Sequence, residues 1–121
     1  MAQISIENGI VTVQLSPADK FFALHGNLRI PLAHVTRAVV EDENGWKYLW
    51  KLLGTNLPGM KVAGSFFTSD GLAFCDFGNG KNCVVLDTSN EMFKRVVVQL
   101  DSGQDARQMA DRITGLLAKN P

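Results

Sequence analysis

The stretch "LLGTNLPGMKVAGSF", residues 52–66, joins an apolar run to a strand pattern through Gly54 and the Pro58-Gly59 pair. Its three glycine positions either cradle a ligand or punctuate the fold. Read locally, Gly54 stops a helix, Pro58-Gly59 turns the chain, and Gly64 sits inside a strand. A glycine within a strand marks a bulge or a close backbone approach. Lys61 is the basic residue of the stretch, and strand alternation turns it outward. The stretch therefore reads as punctuation.

Upstream, WKYLWKLLG (46–54) sets Trp46, Leu49, Trp50 and Leu53 at helical spacing, which predicts a short helix ending near Gly54. Before it, HGNLRIPLAHVTRAVVE (25–41) is extended, and Pro31 predicts a sheet edge or a break between two strands. Val35, Arg37 and Val39 are expected on one face there, with Thr36, Ala38 and Val40 on the other. Residues 3–15 alternate apolar and polar around Asn8-Gly9, a strand with a bend or a small hairpin. Ser16 and Pro17 fit the N-cap and first position of a helical turn.

Downstream, strand patterns recur at 60–68, 71–77, 82–87 and 94–100, separated by the short connectors SDG, GNGK and TSNEM. Such connectors predict an antiparallel meander. The last element is a helix over about 103–118, opened by Ser102 and Asp105 as a capping box. Ala106, Met109, Ala110, Ile113, Leu116 and Leu117 form its apolar stripe. The chain is thus expected to be mainly β, with about seven strands and a C-terminal α-helix in a single domain spanning 1–121. The expected core is Ile10, Val13, Val35, Val39, Met60, Val62, Phe66, Phe74, Val84, Val96, Val98, Met109, Ile113 and Leu116.

The composition excludes several classes of function. With 121 residues, 45% hydrophobic and 20% charged, the chain can bury a core of its own and is not a disordered polymer. Lys+Arg and Asp+Glu balance at 12 each, so the basic excess of a phosphate-gripping nucleic-acid binder is missing. The opening residues MAQISIENG lack the basic and apolar regions of a signal peptide. No apolar run approaches the ~20 residues of a membrane-spanning helix. The cytoplasm is the expected location, with Cys75 and Cys83 as reduced thiols.

The chemistry-bearing residues are sparse. His25, His34, Cys75 and Cys83 form no C-x-x-C or H-x-x-x-H pair, so no metal site is expected. A two-residue loop at Asn79-Gly80 would put the two thiols on opposite sheet faces, whereas a three-residue loop over 78–80 would make them cross-strand neighbours. The sequence GNGK (78–81) lacks the spacing and the following helix of a phosphate-binding loop. The histidines and serines compose no nucleophile–base pair. No catalytic residue, cofactor or metal is expected, and the chain does not read as an enzyme.

The order of elements resembles the pleckstrin-homology-like (PH-like) superfold. The likeness is sharper to bacterial PH-like proteins of unknown role, in ADKFFALHGNLRIPLAHVTRAVVED (18–42), LLGTNLPGMKVAGSF, GLAFCDF (71–77) and RVVVQLDSGQDA (95–106). The resemblance implies an antiparallel sandwich or partly open barrel capped by the C-terminal helix, and no catalytic residue. Phosphoinositide-binding relatives carry a basic cluster between their first two strands. Here SPADK (16–20) offers only Lys20.

The candidate interaction surface is Trp46, Lys47, Trp50 and Lys51. Trp supplies a large amphipathic contact area, suited to a protein or peptide partner or to a second copy. The same residues suit weak binding to a membrane surface or lipid. If they are not exposed, Trp46, Leu49, Trp50 and Leu53 cover an open end of the barrel.

Overall fold

The computed structural model describes residues 2–41, 50–57 and 60–119. Asn8-Gly9 makes a two-residue hairpin between β1 (Ala2–Glu7) and β2 (Ile10–Leu15). Both turn residues have positive φ, 52° and 74°, as the turn matching strand twist requires. Ser16 caps α1 (Pro17–Ala23) by accepting from the Asp19 amide at 3.2 Å. β3 (Leu28–Pro31) then pairs with β2 and forms an edge of a three-stranded sheet, with Pro31 at its end. A single 3-10 turn, Leu32–His34, leads into β4 (Val35–Val40). Pro31 therefore marks both an edge and a break.

The second sheet has six strands: β4, β5 (Lys51–Leu57), β6 (Lys61–Thr68), β7 (Gly71–Phe77), β8 (Cys83–Thr88) and β9 (Arg95–Gln99). Their order is β4-β8-β9-β7-β6-β5. The meander expectation holds for β5, β6 and β7 and fails beyond them. β9 inserts between β7 and β8, parallel to the first and antiparallel to the second. Residues 78–82 accordingly form a bridge beside β9 and not a tight hairpin. The Gly78 amide donates to Gln99 Oε1, and the Asn82 side chain donates to the Leu100 carbonyl. Val96, Val97 and Val98 are all buried, because a central strand has no solvent face.

The predicted helix over 46–54 is corrected at its described end. Lys51–Leu57 is strand β5, and Gly54 is not a helix stop but lies directly opposite Gly64 of β6. A Cβ on Gly54 would stand 2.0 Å from the Ala63 carbonyl oxygen, and one on Gly64 would stand 2.0 Å from that of Leu53. The two glycines, at φ 125° and 130°, permit a backbone approach that no other residue pair could make. Sheet pairing with β6 overrides a helical periodicity only a few residues long. Trp46 and Leu49 lie outside the described residues.

The fold is a β-sandwich with a C-terminal helix. Its first core cluster draws on both sheets and both helices, with Ile4, Val13, Ala23, Phe74, Val98 and Ile113 among its members. A second cluster, on the other face of the six-stranded sheet, contains Val62, Phe66, Cys75, Phe77, Cys83, Val85 and Val97. Of the expected core, Met60 is exposed, and Ile10, Val39 and Leu116 are only half-buried. A bulge between Val35 and Arg37 shifts the alternation, so Val35 enters the first cluster while Val39 packs against the second. The C-terminal helix α2 spans Ala106–Ala118, three residues shorter at its start than expected. Asp105 and not Ser102 is its N-cap, accepting from the Gln108 amide at 3.0 Å. α2 lies along β4, where Thr114 Oγ1 donates to the Ala38 carbonyl.

Candidate interaction surface

α1 is too short to be stable alone and depends on what it touches. Its Asp19 and Ala23, one turn apart, face inward and are buried. Phe21 and Phe22 are adjacent in sequence, so they cannot share that face, and both point outward. Two polar contacts seat the helix on the sheet. Thr55 Oγ1 of β5 donates to the Phe22 carbonyl at 2.9 Å. Lys61 Nζ of β6 donates to Asp19 Oδ1 at 2.7 Å and to Asp76 Oδ1 of β7 at 2.9 Å. The ammonium thus joins helix and sheet through two buried carboxylates.

The electrostatics of this latch are unequal. Burial pushes the Asp76 carboxyl up to about 6, helped by the like charge of Asp19 and only partly opposed by Lys61. Burial is the largest influence on Asp19 and acts upward, but hydrogen bonds, first that from Lys61, together with the Lys61 charge hold that carboxyl down to about 2. Burial lowers the Lys61 ammonium while the two carboxylates raise it, and the net shift is upward. Lys61 is therefore a fixed cation and not a nucleophile. Strand alternation turns it onto the face that carries α1, which the sequence alone did not reveal.

Next to the latch lies a concentration of exposed apolar side chains. Among the described residues, nine of the ten large hydrophobic side chains left in solvent belong to α1 and its cap, to β5, or to the adjoining parts of β6. Trp50 and Met60 are about three-quarters exposed, and Leu53 and Leu57 about half. Single exposed leucines need no explanation, but a contiguous set does. β5 is also the last strand of its sheet, and no described strand pairs with its outer side. At the opposite end of the sheet, β4 is packed by α2.

Of the four residues singled out from the sequence, Trp50 is exposed just before β5 and Lys51 is exposed at its first position. Trp46 and Lys47 lie outside the described residues. The structure adds Phe21, Phe22, Leu24, Leu52, Leu53, Leu57, Met60 and Phe67 as exposed apolar side chains of α1, β5 and their neighbourhood. The adjacent Phe21-Phe22 pair in a short helix was the available signal.

The other candidates are absorbed by the fold. His25 Nδ1 lies 2.8 Å from the Gly26 carbonyl, and its ring meets Phe74 at a tilt and Phe93 edge to face. His34 Nδ1 lies 2.6 Å from Glu91 Oε2. Among the described residues no three His, Cys, Asp or Glu side chains gather as a metal site. Cys75 and Cys83 are buried on one sheet face with β9 between their strands, which corrects both hairpin registers. In GNGK the Lys81 amide donates to Asn79 Oδ1, so this loop binds its own side chains. Two clefts, of about 250 and 290 Å³, lie at Asp70-Asp87-Lys94-Arg95 and at the start of α2. Neither touches the latch. Among the described residues no helix is long and apolar enough to cross a membrane. No protein-family model, curated protein or solved structure matches this chain.

Proposed function

We propose that this chain is a non-catalytic, cytoplasmic interaction module of the PH-like kind that docks a polypeptide on the β5 edge and the outward face of α1. The observation that carries this reading is the concentration of exposed apolar side chains beside a strand edge with which no described strand pairs. Such an edge offers backbone donors and acceptors, while alternate side chains supply specificity. Trp50, Lys51, Leu53 and Leu57 would make the contacts, with Phe21 and Phe22 alongside.

Selection from a random peptide library against the purified chain tests the reading. Expected binders are extended and apolar, and they perturb the amide resonances of residues 50–57. Leu53→Ser/Leu57→Ser should weaken them at least about tenfold, or ~1.4 kcal/mol. Binders that perturb only other regions would refute it. A second reading, weak binding to a membrane surface, is favoured by Lys20 and Lys51, which are exposed on the same segments as Phe21 and Trp50. Sedimentation with anionic vesicles, lost in Phe21→Ser/Trp50→Ser, would support that alternative.

A further inference from the structure

We infer that the occupant of the β5 edge is a second copy of this chain, paired antiparallel about a two-fold axis through Thr55 so that two six-stranded sheets become one. This rests on the docking reading above and names its partner. Three observations carry it.

The first is area. Nine large side chains about half to three-quarters exposed leave on the order of 1,000 Å² of apolar surface on this side, taking ~200 Å² per side chain. The largest apolar patch of an ordinary monomer is about 300–600 Å². A stable symmetric interface covers about 800 Å² on each partner. The surface is thus large for a monomer and sufficient for a dimer.

The second is self-complementarity. The strand narrows to a regular pairing register from Leu53 to Leu57, after the irregularity between Lys51 and Leu53. Pairing this segment with its own copy about Thr55 sets Leu53 opposite Leu57 of the second copy, twice, with Thr55 opposite Thr55. All three positions share one strand face by alternation. Leucine–leucine and threonine–threonine pairs are favourable cross-strand neighbours. Thr55 is also the residue bonded to α1, so the two helices would flank the axis.

The third is charge. Lys51 is the one ionised residue of β5 and stands at its end. In this register the two Lys51 residues lie about eight residues apart along the strands, ~27 Å. That exceeds the ~10 Å screening length at moderate salt, so no repulsion opposes the pairing. Inward-pointing charges that commonly block an edge are missing from residues 53–57.

Sedimentation equilibrium over roughly 1–200 µM tests the inference, a range that captures dissociation constants typical of modest dimers. The wild-type chain should sediment as a dimer. Leu53→Lys/Leu57→Lys should place like charges directly opposite one another and weaken association at least about 100-fold. Leu53→Glu/Leu57→Glu should do the same. Mixing the two variants should restore a heterodimer, because each lysine then meets a glutamate. Both positions are exposed, and an unchanged circular-dichroism spectrum confirms that the variants fold.

A monomeric wild type across the range overturns the inference. A dimer untouched by either variant, or two variants that fail to re-associate on mixing, also overturns it. The docking reading fails separately. If the chain is monomeric yet selected peptides bind at residues 50–57, only the self-pairing is wrong; if neither occurs, both are wrong.

Discussion

At one edge of the six-stranded sheet β4 lies against α2, and at the other β5 presents Trp50, Leu53 and Leu57 to solvent. The covered edge is finished by apolar packing, with Ile113 and Ala110 of α2 fully or nearly buried. The open edge is held from within by a half-buried lysine between two buried aspartates and by a pair of facing glycines. One edge is stabilised by removing side chains from water. The other keeps apolar side chains in water and anchors itself by geometry. A region left so exposed while its backbone is fixed firmly is suited to meeting something else.

The largest expected effect breaks the open side. Lys61→Met should cost about 3–5 kcal/mol in denaturant unfolding, because it removes the cation shared by two buried carboxylates. Hydrogen exchange should rise first in α1, β5 and β6, with β4 and α2 following only on global unfolding. A loss below about 1 kcal/mol would mean that α1 is held by something other than the latch.

Ile113→Ala probes the covered side and should cost about 2–5 kcal/mol by leaving a cavity between α2 and the sheet. It should loosen α2 and β4 while leaving Trp50 fluorescence unchanged relative to native. Equal loosening of β5 would erase the contrast between the two edges.

The smallest effect is a pH dependence confined to the latch. Asp19 sits at about 2, below the ordinary aspartate value of 3.8, so its contribution is present above pH 4 and is lost as pH falls through 2. Asp76 sits at about 6, above that value, so the folded chain takes up a proton as pH falls from 7 toward 5. Its contribution therefore grows on mild acidification. Stability attributable to the pair should peak near pH 4, roughly 2 kcal/mol above its value at pH 7. Asp76→Asn should abolish that gain and keep the loss at lower pH. A wild-type profile flat between pH 7 and 5 would contradict the assignment.

Local features were readable from the sequence. The Asn8-Gly9 hairpin, the Ser16 cap and the stripe of α2 each depend on residues within a few positions of one another. The mainly β class and the final helix followed from them. Two non-local pairings escaped. β9 enters between β7 and β8, and the run Arg95–Gln99 carried that signal in three consecutive valines suited to burial on both faces. β5 looked helical because Trp46, Leu49, Trp50 and Leu53 have a helical spacing, while its strand character rests on a glycine ten residues away. On the candidate surface, Trp50 and Lys51 were singled out from the sequence and are exposed, whereas Phe21, Phe22 and Leu57 needed the packing of α1 to identify them. Met60 was placed in the core on a strand starting there, whereas β6 starts at Lys61 and Met60 lies in the preceding turn; Val62 and Phe66 keep the expected face.

The facing glycines also bear on how the chain reaches this fold. If β5 and β6 paired one or two residues out of step, each glycine would meet a residue carrying a Cβ, and the close approach would be blocked. The contact thus acts as a key that a misaligned hairpin cannot turn. It favours the native alignment through a backbone contact that no other register can form. A single methyl group added to either glycine would remove that selectivity and leave the edge strand free to join in the wrong place.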